Sequence, residues 1–185
     1  GVEHLSSTEH AIIPDRIEAG TYMIAAAMTG GDVIVDNVLP EHQKPLIAKL
    51  REAGAIVEED IDKVRVIGNG TLKGVSVKTL PYPGFPTDMQ AQIMAMMVVS
   101  EGNSKVTETV FENRFMHVEE LNRMGATITT ADRSANIEGP AKLVGCDVRA
   151  TDLRAGAAMI LAGLVAEGET RIGDLHHIDR GYEDI

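Results

Sequence analysis

Apolar residues in this chain form two kinds of helical run. Residues 22–28, 93–99 and 155–166 are apolar on nearly every side, and a helix without a polar face must be buried all round. Around Leu46, Ile47 and Leu50, apolar positions alternate with Lys49, Arg51 and Glu52, the spacing of an amphipathic surface helix. Short strand patterns lie between the helices at 33–35, 64–67, 75–77, 106–109, 126–130, 135–137 and 148–150, with Asn69-Gly70 and Pro83-Gly84 as turns.

The order of these segments repeats. Residues 17–29 lead to Gly30-Gly31, the strand Val33-Ile34-Val35, the helix through Leu46 to Leu50, and Gly54-Ala55. Residues 87–100 lead to Gly102, the strand Lys105-Val106-Thr107, the helix Val118-Glu119-Glu120-Leu121, and Gly125-Ala126. From Gly31 to Gly54, and from Gly102 to Gly125, the separation is 23 positions. A third unit starts at Asp152, passes through 161–166 to Gly168 and the strand Thr170-Arg171-Ile172, and stops at Ile185 where its second helix is due. The expected architecture is α/β: three βαβαββ-like units, at about 11–71, 72–143 and a truncated 144–185, around a central trio of helices with small sheets outside. Gly20, Gly156 and Gly163 are expected to let the buried backbones approach.

Composition narrows the function classes. With 28 acidic against 17 basic residues the chain carries a formal charge of −11, which argues against a general nucleic-acid or anionic-membrane surface. The longest apolar run, twelve residues at 155–166, is well short of the roughly 20 that span a bilayer. Cys146 is the only cysteine, so no internal disulfide forms and the composition suits a reducing compartment. Cys146 reads as a small, partly buried hydrophobe. Aromatic residues make up 3%, which leaves aliphatic and methionine packing to fill the core.

Asp15, Asp88 and Asp152 stand at the same place before the three buried helices. Such acids, or Thr87, are good N-caps because their oxygens accept orphan backbone N–H groups; a carboxylate at the mouth of a buried helix is also a plausible general base. Arg114 and Arg180 each fall 12 positions beyond their unit's strand glycine, where the first unit has Gln43. Such arginines are ordinarily solvated, but with Arg154 they could clamp a carboxylate or phosphate. His176-His177, near Asp174 and Asp179, would point to opposite faces of an extended strand, so no metal site is expected.

Five ordered strings closely resemble the C-terminal part of the UDP-N-acetylglucosamine 1-carboxyvinyltransferases, of the enolpyruvyl transferase family. They are Pro14-Asp15-Arg16-Ile17-Glu18-Ala19-Gly20-Thr21, Phe85-Pro86-Thr87-Asp88-Met89-Gln90-Ala91-Gln92, the run from Thr107 to His117, Ala150-Thr151-Asp152-Leu153-Arg154-Ala155, and His177-Ile178-Asp179-Arg180-Gly181-Tyr182-Glu183. The resemblance covers essentially the whole chain. It implies an inside-out α/β barrel of βαβαββ units, one of two domains that close over substrates, with the N-terminal domain absent from this sequence.

The implied reaction transfers the enolpyruvyl group of phosphoenolpyruvate to the 3-hydroxyl of UDP-N-acetylglucosamine and releases phosphate, without metal or organic cofactor. It is the first committed step of bacterial peptidoglycan synthesis, in the cytoplasm. By motif match Asp88 resembles the acid beside the sugar hydroxyl, the backbone at Val110 a second sugar-nucleotide contact, and Arg154 and Arg180 the arginines that hold phosphoenolpyruvate. Asp152 and Arg114 resemble supporting residues. Cys146 does not match the family's loop cysteine, which belongs to the other domain. Half an active site is expected to be nearly inactive alone. A transferase like enolpyruvylshikimate phosphate synthase, or a non-catalytic repeat module, are the competing readings.

Overall fold

The computed structural model describes residues 1–183 and 185. Three long helices, α1 (Arg16–Thr29), α3 (Gln90–Val99) and α5 (Leu153–Val165), pack against one another at the centre. Three separate sheets lie outside them. The first joins β1 (Asp32–Asp36), β3 (Lys63–Ile67) and β2 (Ile56–Glu59) in the order β1-β3-β2, with α2 (Pro40–Ala53) against it. The second runs β4-β5-β7-β6, from β4 (Ser76–Lys78), β5 (Gly102–Thr107), β6 (Thr127–Ala131) and β7 (Ser134–Gly139), with α4 (His117–Arg123) alongside. The third pairs β8 (Asp147–Arg149) with β9 (Arg171–Gly173) in parallel, followed by α6 (His176–Asp179).

Among the described residues only the middle unit shows the full βαβαββ order, β4-α3-β5-α4-β6-β7. In the first unit no strand precedes α1 among the described residues. The strand β2 went unread in the sequence because its burial is slight: of Ile56–Glu59 only Val57 is buried.

Backbone contacts repeat between units more faithfully than the side chains do. The Glu101 N–H donates to Leu72 C=O and Gly74 N–H to Glu101 C=O; Glu167 makes the matching pair with Leu143 and Gly145. Upstream, Lys73 N–H donates to Ala53 C=O as Val144 N–H does to Met124 C=O. Gly102 and Gly168, each three residues beyond its helix, take φ of 88° and 90°, a conformation that excludes most side chains. The first unit turns differently, with Gly30 as a left-handed cap on α1.

The all-round apolar pattern predicts burial best for α3, where Gln90 to Val98 are all buried. Helix α5 departs from it: Leu164, near its C-terminal end, is 58% exposed. A β-carbon on Gly20 or Gly156 would press on Leu46 or Ile178, respectively, so these glycines serve side-chain packing. At Gly163 the nearest atoms to a β-carbon belong to Thr170, at ordinary contact distance, and the expected close approach is absent there. Methionines fill the middle of the core, with Met23, Met89, Met94, Met96, Met97 and Met124 all fully buried. No helix among the described residues is long and apolar enough to cross a membrane.

Candidate functional site

Asp15 and Asp152 cap their helices as expected. Asp15 Oδ1 accepts the Ile17 and Glu18 N–H groups, and Asp152 Oδ1 those of Arg154 and Ala155 at 2.7 and 2.9 Å. Asp88 does not cap. A 3₁₀ turn, Thr87–Met89, precedes α3, and neither it nor α3 has a side-chain cap. The Asp88 carboxylate instead meets two guanidinium groups: Arg114 Nη2 donates to Oδ1 at 2.6 Å, and Arg154 Nη2 lies 3.6 Å from Oδ2.

Two of the units build this cluster, the second through Asp88 and Arg114 and the third through Arg154. Asp88 comes from the turn before α3, Arg114 from the loop between β5 and α4, and Arg154 from the first turn of α5, two residues past its Asp152 cap. Arg114 is held on three sides: Nη1 donates to Thr87 Oγ1 at 2.7 Å, Nη2 binds Asp88, and the guanidinium carbon lies 4.7 Å from the Phe111 ring centroid. Of the two readings open to Arg114, a solvated charge or a member of a charged cluster, the contacts match the second. Arg180, just beyond α6, is exposed and lines the same cavity of about 470 Å³ as Asp88, Arg114, Asp152 and Arg154. Val110 stands aside from that lining; it is 41% exposed and its N–H is committed to Glu108 Oε1 at 2.8 Å.

A larger concavity, about 690 Å³, lies between α4 and the β8–β9 sheet. Two of its arginines pair with close neighbours, Arg123 with Glu120 and Arg171 with Glu169, whereas the 470 Å³ cavity gathers charges from distant parts of the chain. His176 and His177 sit in the helix α6, not on a strand, with ring centroids 4.1 Å apart. Cys146 is half-buried against the core.

Sequence reasoning missed three residues here. Glu108, 1% exposed, accepts hydrogen bonds from both Thr79 and Thr87 hydroxyls and from the N–H groups of Val110 and Phe111. Gln90 is buried behind the arginines. His117 is 3% exposed with Nε2 3.3 Å from Met94 Sδ; burial, with some help from Arg114 and against the pull of Asp152, pushes its pKa down to about 4. None carries a local signature, since each acquires its role from partners remote in sequence.

His117 makes stability depend on pH. Unfolded, an imidazole titrates near 6.5; folded, this one titrates near 4. Between those values the unfolded chain takes up the proton and the folded one does not, so stability is lost as pH falls from 6.5 toward 4. Lowering the pH from 7 to 5 should cost about 2 kcal/mol from this residue. Urea unfolding at both pH values should show a shallower loss in His117→Gln, and an unchanged slope would refute the assignment.

A sequence profile of the EPSP synthase (3-phosphoshikimate 1-carboxyvinyltransferase) family matches residues 1–185. Curated relatives named UDP-N-acetylglucosamine 1-carboxyvinyltransferase include one from Halothermothrix orenii, 63% identical over 185 residues. Another, from Caldanaerobacter subterraneus subsp. tengcongensis, is 60% identical over 182. The first covers 100% and the second 98% of this chain, which spans 44% of the length of each. Among solved structures, the enolpyruvyl transferase NikO from Streptomyces tendae superposes with a TM-score of 0.85 at 28% identity, over 92% of this chain and 41% of that one. EPSP synthase from Acinetobacter baumannii gives 0.70 at 19%, over 91% and 42%, a likeness of fold. With the whole chain matched by the family profile and its sheets and central helices superposing on solved enolpyruvyl transferases, this chain belongs to the EPSP synthase family.

Proposed function

We propose that this chain is one domain of a two-domain enzyme that transfers the enolpyruvyl group of phosphoenolpyruvate to the 3-hydroxyl of UDP-N-acetylglucosamine. The observation that carries it is the Asp88 carboxylate, 42% exposed at its side chain, set against Arg114 and Arg154 in a cavity that Arg180 also lines. Identities of 57–63% to proteins named UDP-N-acetylglucosamine 1-carboxyvinyltransferase support this choice of acceptor. No organic cofactor or metal is required: the sugar oxygen adds to C2 of phosphoenolpyruvate as C3 takes a proton, giving a tetrahedral ketal. Loss of a C3 proton and of phosphate then yields the enol ether.

In this reading Asp88 accepts the hydroxyl proton, and Arg154 and Arg180 hold the carboxylate and phosphate of phosphoenolpyruvate, which their planar forks match. Arg114 and the Asp152 cap position that pair. The loop at Val110 offers its backbone carbonyl to the sugar nucleotide, since its N–H is occupied. The second domain closes the cavity and excludes water, strengthening these charged contacts. The enzyme acts in the bacterial cytoplasm, at the entry to cell-wall synthesis.

Phosphate release by the two-domain enzyme, assayed with phosphoenolpyruvate and either UDP-N-acetylglucosamine or 3-phosphoshikimate, tests this directly. Turnover is expected with the sugar nucleotide alone; turnover with 3-phosphoshikimate instead would overturn the reading.

A further inference from the structure

Behind the Asp88 cluster lies a second, much smaller cavity of about 10 Å³, walled by Thr87, Gln90, Arg114, His117, Asp152 and Arg154. Arg114, Asp152 and Arg154 line both cavities, and the guanidinium groups of the two arginines meet Asp88 in the open one. Gln90 is the first residue of α3 and is 1% exposed, yet neither its Nε2 nor its Oε1 has a hydrogen-bond partner. Leaving a buried amide unsatisfied costs about 1–3 kcal/mol per group. A volume of 10–15 Å³ accommodates one water, provided two to four polar groups surround it.

The chemistry of the wall meets that condition. Gln90 offers a donor and an acceptor, the guanidinium groups offer donors, and the Thr87 hydroxyl, its proton given to Glu108 and one lone pair to Arg114, keeps a second lone pair as an acceptor. Asp152 has Oδ1 already committed to the first N–H groups of α5. Packing with an aliphatic side chain would leave the inner edges of the two arginines without a polar contact, whereas a water can bridge them to the amide.

We propose that this inner cavity is a binding site for a single ordered water, held by Gln90, and that Gln90 is thereby a positioning residue for Arg114 and Arg154. The water fixes the guanidinium planes from behind, so that their outer edges are oriented before substrate arrives. The positioning half of this inference rests on the function proposed above; the water site does not. His117, kept neutral by burial, adds no charge to the wall to compete with the arginines.

Crystals of the two-domain enzyme, wild type and Gln90→Met, grown with inorganic phosphate, test the site, and steady-state kinetics test its consequence. Wild-type density is expected to show one water within hydrogen-bond distance of the Gln90 amide and of a guanidinium group. In Gln90→Met that water should vanish and the KM for phosphoenolpyruvate should rise about tenfold, with kcat within about threefold and no loss of thermal stability. Gln90→Glu, whose carboxylate reaches the arginines directly, should recover part of the KM. A dry cavity, or a Gln90 amide bonded directly to protein, would overturn the site; an unchanged KM once the water is gone would overturn the positioning role. If the water is present but the wild-type enzyme transfers nothing, the proposed function fails while the site stands.

Discussion

Asp88→Asn is expected to lower kcat of the two-domain enzyme by about 10²–10⁴-fold, the range for losing a positioned general base, while the protein stays folded. The amide has nearly the shape of the carboxylate but cannot take up the hydroxyl proton. Its surroundings do not depend on it for support: Arg114 keeps the Thr87 hydroxyl at 2.7 Å and its stack on Phe111, and Asp88 caps no helix. Removing one negative charge from between two guanidinium groups also makes the cavity more positive, so the KM for phosphoenolpyruvate should fall or hold. That combination separates a proton acceptor from a residue that merely organises the arginines, whose loss would raise KM. Phosphate-release kinetics with circular dichroism as the folding control measure both; turnover within threefold of wild type would remove Asp88 from the chemistry.

The contrast between Asp88 and its two counterparts shows where sequence reasoning reaches its limit. Asp15 and Asp152 are caps in both prediction and structure, because capping is a local geometry written within three residues. Asp88 sits at the same place in the repeat, but its helix begins through a 3₁₀ turn that carries the carboxylate out of reach of the orphan N–H groups. Arg114 and Arg154 then capture it. That exchange of local partners for distant ones is the physical content of the site.

The buried helices were legible for a comparable reason: an all-round apolar surface has few other places to go, and α3 is buried along nearly its whole length. Three small sheets outside three helices follow from the repeat. The partnerships of Arg114 were not legible, since its loop position suggested a solvated charge and only the fold brings it against the turn before α3. Nor was Glu108, whose four donors come from β4's end, the turn before α3 and its own loop; in sequence it resembles any acid following a strand.

Glu108→Ala should cost about 3 kcal/mol or more of stability and loosen the loop that carries Val110, Phe111 and Arg114. The carboxylate is the common acceptor for two hydroxyls and two backbone N–H groups at 2.8 to 3.1 Å, in a place with 1% exposure. Truncation strands those donors at about 1–3 kcal/mol for each that finds no water and opens a cavity besides. For a protein of this size 1 kcal/mol corresponds to roughly 2–4 °C, so a fall of about 10 °C in Tm is expected. Glu108→Gln separates the charge from the shape. Its amide oxygen can still serve the Val110 and Phe111 N–H groups, but its NH₂ faces the Thr87 hydroxyl, which then has no acceptor for its own proton while still receiving Arg114. The glutamine variant should therefore lose less stability than the alanine variant, yet disturb Arg114 through Thr87 and raise the KM of the two-domain enzyme for its substrates. If thermal unfolding finds the alanine variant within 1 kcal/mol of wild type, the loop is held by something other than this carboxylate, and the chain Arg114–Thr87–Glu108 has no part in shaping the site.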